Sequence, residues 1–172
     1  LQDKGVLANC NVNILQTNDI LEFRSYAEEL KWLTTDPKRM SWVAQTIQDI
    51  ATSGNTLILV DRISAGEILE KNIKDSVFIR GATKNVERKE HYDEVSTAQT
   101  KVIIATYGVA AVGINIPRIF NLVLIEPGKS FVRVIQSIGR GIRKAEDKES
   151  VAIWDITSYC KFARRHLTQR KK

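Results

Sequence analysis

Eight residues late in the chain, Gln136-Ser137-Ile138-Gly139-Arg140-Gly141-Ile142-Arg143, have the types and spacing needed to handle phosphoryl charge. Taken with the stretch that leads into them from Phe131, they read as a helix with two unlike faces. Phe131, Ile135, Ile138 and Ile142 share one side, and Arg133, Gln136, Arg140 and Arg143 share the other. One side suits a core, and the other presents planar guanidinium groups and an amide. Gly139 and Gly141 flank Arg140, so the backbone there is free to turn or to approach a ligand closely. Arginines carried on a rigid face can neutralise charge that develops on a transferring phosphoryl group, an effect worth roughly 10³–10⁵ in rate. Lysine lacks the planar set of donors for this role. A solvated basic face would look the same in isolation, so the rest of the chain has to decide.

The elements that must hold such a face follow from hydrophobic rhythm. Residues 12–17 alternate and predict a strand, and residues 22–33 predict a helix with Phe23, Tyr26, Ala27, Leu30 and Leu33 on one stripe. Asp36-Pro37 is an N-cap followed by proline at the first helical position, and Met40, Val43, Ala44, Ile47, Ile50 and Ala51 recur behind it at helical spacing. Gly54 is placed to end that helix. Thr56–Val60 is then a continuous apolar run, as expected of a strand buried on both faces. A helix is expected over 63–72, a strand at Val77–Ile79 and a charged helix over about 84–97. Further strands are expected at Val102–Ala105, Leu122–Ile125 and Val151–Ile156, with a last helix over about 158–168. Buried strands alternating with helices predict an α/β fold: three layers, a mostly parallel sheet, helices on both faces. Such sheets bind ligands at the carboxyl ends of their strands, which directs attention to Asp61-Arg62, Arg80-Gly81, Thr106, Glu126 to Ser130, and Asp155.

Two of these strand ends suit phosphates. Arg80-Gly81-Ala82-Thr83-Lys84-Asn85 joins a strand end to a helix start and combines free amides, small polar groups and cations. In Ala105-Thr106 … Gly113-Ile114-Asn115-Ile116-Pro117, Thr106 offers a hydroxyl, Gly113 permits close approach, and Asn115 can bond a sugar hydroxyl. A third candidate fails. Pro127-Gly128-Lys129-Ser130 looks like the end of a phosphate-binding P-loop, but the spacing puts Val123, in the middle of a strand, where the loop needs glycine. Pro127 also lacks the N–H that a phosphate nest would use. The chain carries no other P-loop pattern and no acidic pair placed to hold magnesium.

Length and composition set the outer limits. The 172 residues are 43% hydrophobic and 27% charged, which suits one folded domain with a real core. Net charge is +6 and the isoelectric point is near 9.4, which favours an anionic partner. Much of the charge lies in Lys161, Arg164, Arg165, Arg170, Lys171 and Lys172, and a chain that stops inside such a run reads as part of something longer. Cys10 and Cys160 are isolated, and so are His91 and His166, so neither a disulfide framework nor a metal site is expected, and a cytoplasmic location is the default. Leu1–Gly5 is not a signal peptide, and no apolar stretch is long enough to span a membrane, so no membrane partner is expected.

Taken in order, these pieces resemble the second RecA-like domain of a superfamily 2 helicase. Thr56 to Leu69 is similar to that family's motif IV, Val77 to Arg88 to motif IVa, Ala105 to Pro117 to motif V, and Gln136 to Arg143 to motif VI. Within the superfamily the chain resembles the bacteriophage recombination helicases, in the group that includes the XPB-like repair and transcription helicases. Two positions depart from the pattern: Asn115 stands where aspartate is usual in motif V, and Ser137 where arginine is common in motif VI. The resemblance implies an ATP-dependent DNA motor. Arg140 and Arg143 would reach the γ-phosphate of ATP, Gln136 would couple that cleft to DNA, and Gly113 and Asn115 would meet the nucleotide sugar. Arg62, Gly81, Thr83, Lys84 and Thr106 would hold the DNA backbone without reading sequence. It also accounts for the missing P-loop: ATP with magnesium would be bound mainly by a first RecA-like domain of the same polypeptide. Residues 1–53 would then form a connector strand and leading helices, and 54–172 the RecA-like domain. The implied substrates are branched DNAs, namely forks, Holliday junctions and recombination loops. Two other functions use the same basic loops: a duplex-DNA translocase of restriction or remodelling type, and a nucleic-acid binding module with no motor role. An unrelated Rossmann enzyme is disfavoured, because no GxGxxG follows a strand.

Overall fold

The computed structural model describes residues 9–19, 21–79, 90, 100–112, 119–126, 150–158 and 160–170. The described chain runs β1 (Asn9–Thr17), α1 (Tyr26–Thr35), α2 (Pro37–Ala51), β2 (Thr56–Val60), α3 (Ile63–Asn72), β3 (Ser76–Ile79), β4 (Val102–Thr106), α4 (Tyr107–Val112), β5 (Asn121–Ile125), β6 (Ser150–Ser158) and α5 (Lys161–Arg170). The strands form one sheet in the order β1-β6-β5-β2-β4-β3, and every pairing among them is parallel. Apart from Glu90, which is helical, the expected charged helix over 84–97 lies outside the described residues, as does the helix expected from Phe131.

The central strands carry unbroken apolar runs, Leu57–Val60, Val102–Ala105 and Leu122–Ile125, because both faces are covered. Alternate residues serve opposite layers. Leu57, Leu59, Ile103, Ala105, Leu122 and Leu124 pack with Val109 and Ala110 of α4 on one face. Ile58, Val60, Ile104, Val123 and Ile125 pack with Val43 and Ile47 of α2 and with Ala65 and Leu69 of α3 on the other. Full burial of each larger aliphatic side chain contributes about 1.5–3 kcal/mol. Gly66 lets α3 come this close: a Cβ there would overlap the ring of Phe78 on β3.

Local signals explain most boundaries. Asp36 accepts the Arg39 N–H at 3.0 Å and caps α2, with Pro37 at the first turn. The helix expected over 22–33 starts later, at Tyr26, because the Ser25 hydroxyl accepts the Glu28 N–H at 3.3 Å and caps it there. Phe23 stays outside that helix and packs on Trp32, with ring centroids 5.8 Å apart. Gly54 does not end α2, which stops at Ala51. At Gly54 φ is +157°, and a Cβ would lie 2.7 Å from that of Phe120, so the glycine serves a close crossing instead. At that end of the sheet the Asn121 amide donates to Ile50 O at 3.2 Å and to Ser53 Oγ at 3.0 Å, tying the last turn of α2 to β5.

α4 is a short helix for which the hydrophobic pattern of the sequence gives no expectation. The Thr106 hydroxyl supplies the start signal by accepting the Val109 N–H at 3.2 Å. β6 extends to Ser158, so Asp155 lies within the strand, and Thr157 and Ser158 occupy its carboxyl end. β1 lies beside β6 along nine residues, Asn9↔Ser150 to Thr17↔Ser158, which places residues 9–17 in the same sheet as the rest.

Candidate functional site

β2 and β4 are neighbours, with Val60 opposite Thr106. The helix after β2 packs on one face of the sheet and the helix after β4 on the other. The two connections therefore diverge at the carboxyl ends of these strands, the position where open α/β sheets hold ligands. Arg62 and Thr106 flank it. Arg62 is partly exposed at the start of α3, and its Nη2 makes one long bond of 3.4 Å to Ala27 O. Thr106 is half-buried, and although its oxygen caps α4, its own O–H proton can still be donated. A guanidinium and a hydroxyl on adjacent strand ends suit an anionic ligand. Ile79, opposite Ala105, ends β3 on the far side of β4, so Arg80-Gly81 follows directly in sequence.

The other residues singled out from the sequence, Gly81, Thr83, Lys84, Gly113, Asn115, Gln136, Arg140 and Arg143, lie outside the described residues. Of the isolated cysteines and histidines, Cys160 is buried and makes no disulfide. Burial pushes its thiol above the ordinary value; a hydrogen bond with Ser158 acts the other way, and the carboxylates of Glu29, Asp19 and Glu126 add to the rise. His166 packs edge-on against Tyr26 at 4.6 Å, as a structural histidine does.

Sequence reasoning missed a buried ionic cluster at the other end of the same edge, where β5, β6 and β1 finish. Arg39, 6% exposed, points from the first turn of α2 into the sheet end. Its Nη2 donates to Glu126 Oε1 at 2.7 Å and to Thr157 O at 3.3 Å, and its Nη1 donates to Leu33 O. Nε lies 3.6 Å from Asp19 Oδ2 and makes no hydrogen bond. Thr157 Oγ1 donates to Glu126 Oε2 at 3.1 Å, and Ser158 Oγ donates to Asp19 Oδ2 at 2.8 Å. Glu126 sits at φ +45°, a conformation that a non-glycine residue adopts only when its surroundings hold it there. One signal was available: Arg39 lies four residues before Val43 and eight before Ile47, on the buried stripe of α2. Nearby, the buried carboxylate of Glu29 on α1 accepts the N–H groups of Phe162 at 3.0 Å and Ala163 at 2.8 Å, and so caps α5.

An open groove of about 600 Å³ lies beside this cluster, lined in part by Leu15, Trp32, Lys38 and Trp42. Its cations, Lys38 and Arg39, are matched by Asp19 and Asp36 on the same walls, so it does not concentrate positive charge as an anion site would. The chemistry-bearing strand ends are instead those of β2 and β4.

A parallel, doubly wound sheet whose connections diverge at β2 and β4, with no phosphate-loop pattern in its sequence, defines the class of domain. Residues 38–145 match the helicase conserved C-terminal domain, and the chain belongs to that family. It is 30% identical over 141 residues to the ATP-dependent DNA helicase UvsW of Enterobacteria phage T4, a match that takes in 79% of this chain and 28% of that protein. The crystal structure of T4 UvsW has the same fold, with a TM-score of 0.78 at 22% identity over 95% of this chain and 38% of the other. The C-terminal part of the Fun30 ATPase domain also shares it, with a TM-score of 0.63 at 16% identity over 74% of this chain and 43% of that one. The chain thus spans 28% of the length of the T4 helicase. Among the described residues no helix is long and apolar enough to cross a membrane.

Proposed function

We propose that this chain is the C-terminal motor half of an ATP-dependent DNA helicase that acts on branched DNA: forks, Holliday junctions and recombination loops. Such substrates would give it a part in recombination, repair and replication. The observation that carries this reading is the family match over residues 38–145, which takes in every position from Arg62 to Arg143 that the sequence marked for phosphate or nucleotide. The β2–β4 register supports it, because Arg62 and Thr106 offer a cation and a hydroxyl to a backbone phosphate at adjacent strand ends.

In this reading a first RecA-like domain binds ATP with magnesium, whose γ-phosphoryl bond supplies the free energy for movement. Arg140 and Arg143 reach across to the γ-phosphate and neutralise charge as it develops. Gln136 couples the cleft to DNA, and Gly113 and Asn115 meet the sugar. Arg62, Gly81, Thr83, Lys84 and Thr106 hold phosphates of one strand. Residues 1–53 supply a connector strand and leading helices and 54–172 the RecA-like unit, the whole chain being one domain of a longer protein. Closure of the two domains around the nucleotide, followed by opening, alternates the grip on DNA and gives directional movement.

The test is Arg143→Ala in the full-length protein. ATP hydrolysis should fall by roughly 10³-fold or more while DNA affinity stays within a few-fold. Loss of DNA affinity with hydrolysis preserved would instead identify a binding module. The 172-residue chain alone should show negligible ATPase activity, and robust magnesium-dependent turnover by the purified chain would overturn the division of labour.

A further inference from the structure

The basic run near the end of the chain is not used by the phosphate contacts above, and the fold gives it a place. α5 holds Lys161, Arg164, Arg165 and Arg170 and no carboxylate, whereas α1, α2 and α3 each carry both signs of charge. A merely solvated face mixes signs, because a block of like charge repels itself. The block also costs the helix locally: cations in the first turns oppose the helix dipole, and α5 has no acidic residue of its own there. The anionic cap comes instead from α1, where the Glu29 carboxylate accepts the N–H groups of Phe162 and Ala163. Cys160, Ala163 and Leu167 are buried and anchor the apolar face. Arg164 and Arg165 are left exposed, and among the described residues neither guanidinium is paired with a carboxylate.

α5 follows the carboxyl end of β6, so it starts from the same edge of the sheet as Arg62 and Thr106. The first turn of α1 joins the two places. Arg62 Nη2 donates to Ala27 O at 3.4 Å, and the preceding residue, Tyr26, packs on Phe162 at 6.1 Å and on His166 at 4.6 Å between ring centroids. Around that turn Glu22, Glu28 and Asp61 offset Arg24 and Arg62, so the excess positive charge lies on α5.

We propose that the exposed face of α5, centred on Arg164 and Arg165, is a second contact for the phosphate backbone of DNA and takes up the continuation of the DNA held at the β2 and β4 ends. The inference rests on the reading of the chain as part of a DNA motor. A helix of ten residues spans about 15 Å, enough to meet several successive phosphates. Contacts of this kind add affinity and salt dependence and carry no sequence information.

The test is Arg164→Ala/Arg165→Ala in the full-length protein, with binding to a forked DNA followed across a salt titration. The slope of log affinity against log salt should shrink by about 2, one for each lost phosphate contact. The urea midpoint should stay unchanged, because both side chains are exposed. Arg164→Lys/Arg165→Lys should restore most of the slope, since a phosphate accepts either cation, whereas a packing role would not be rescued. Adding Arg62→Ala to the alanine pair should bring the total reduction to about 3, as expected of separate contacts on one DNA. An unchanged slope in the folded alanine variant would overturn the proposal. So would a fall in ATP hydrolysis at saturating DNA with the slope intact, which would set the arginines against another protein domain. Failure of the unsubstituted protein to bind the fork would instead overturn the DNA reading on which the inference rests.

Discussion

The carboxyl edge of this sheet is built in two ways. Where β5, β6 and β1 end, the polar groups face one another: Arg39, Glu126, Thr157 and Ser158 are buried and bonded among themselves and to Asp19. Where β2 and β4 end, Asp61 is exposed, Arg62 and Thr106 are partly accessible, and their hydrogen-bonding capacity is only partly used inside the protein. The difference teaches that a strand end in an open α/β sheet is not a ligand site by position alone. The half whose charges are already paired is invested in shape. The half with spare donors, at the point where successive helices diverge to opposite faces, is free to meet a ligand.

That contrast can be broken by substitution on either side. Arg39→Ala has the largest expected effect on stability. It leaves the buried Glu126 carboxylate without its cation and should cost about 3–5 kcal/mol, read by urea unfolding of the 172-residue chain. A loss under about 1 kcal/mol would mean that the two halves of the edge do not differ as described. Gly66→Ala comes next. It tests the packing of α3 on the edge strand β3 by forcing the Phe78 ring to move, and should cost about 1–3 kcal/mol, with DNA affinity in the full-length protein little changed. Arg62→Ala should have the smallest effect on stability, within about 0.5 kcal/mol, because its contact with Ala27 is long and exposed. Its signature lies elsewhere: the slope of log affinity for DNA against log salt should shrink by about 1, as expected for one lost phosphate contact. A marked fall in unfolding free energy with an unchanged salt slope would move Arg62 into the structural half.

Much of the scaffold was legible from local pattern. Asp36-Pro37 announces α2, because a carboxylate cap and a pre-set φ act over one turn and need no distant partner. Thr56–Val60 announces a central strand, because only burial on both faces tolerates four successive apolar residues without alternation. No element is expected at α4 from the sequence, because six residues carry too little periodicity to distinguish a short helix from a loop. Of the candidate site, the sequence marked Arg62 and Thr106 one at a time, 44 positions apart, and the β2–β4 register brings them together. The Arg39 cluster was hidden for a related reason. Its members come from residues 19, 39, 126, 157 and 158, and nothing in the spacing along the chain pairs a cation with a carboxylate 87 residues away.

The sequence by itself determined the helices and strands, the alternation that makes an α/β sheet, and the types of residue available at each strand end. These properties depend on side-chain volume, hydrophobic period and capping, all of which act within a few residues. Only the tertiary structure decided the strand order, the placing of β1 beside β6, the face onto which each connection turns, and hence which strand ends keep accessible polar groups and which close on themselves. Those outcomes depend on pairings across the whole chain, where a charge is either matched in the interior or left available to a ligand.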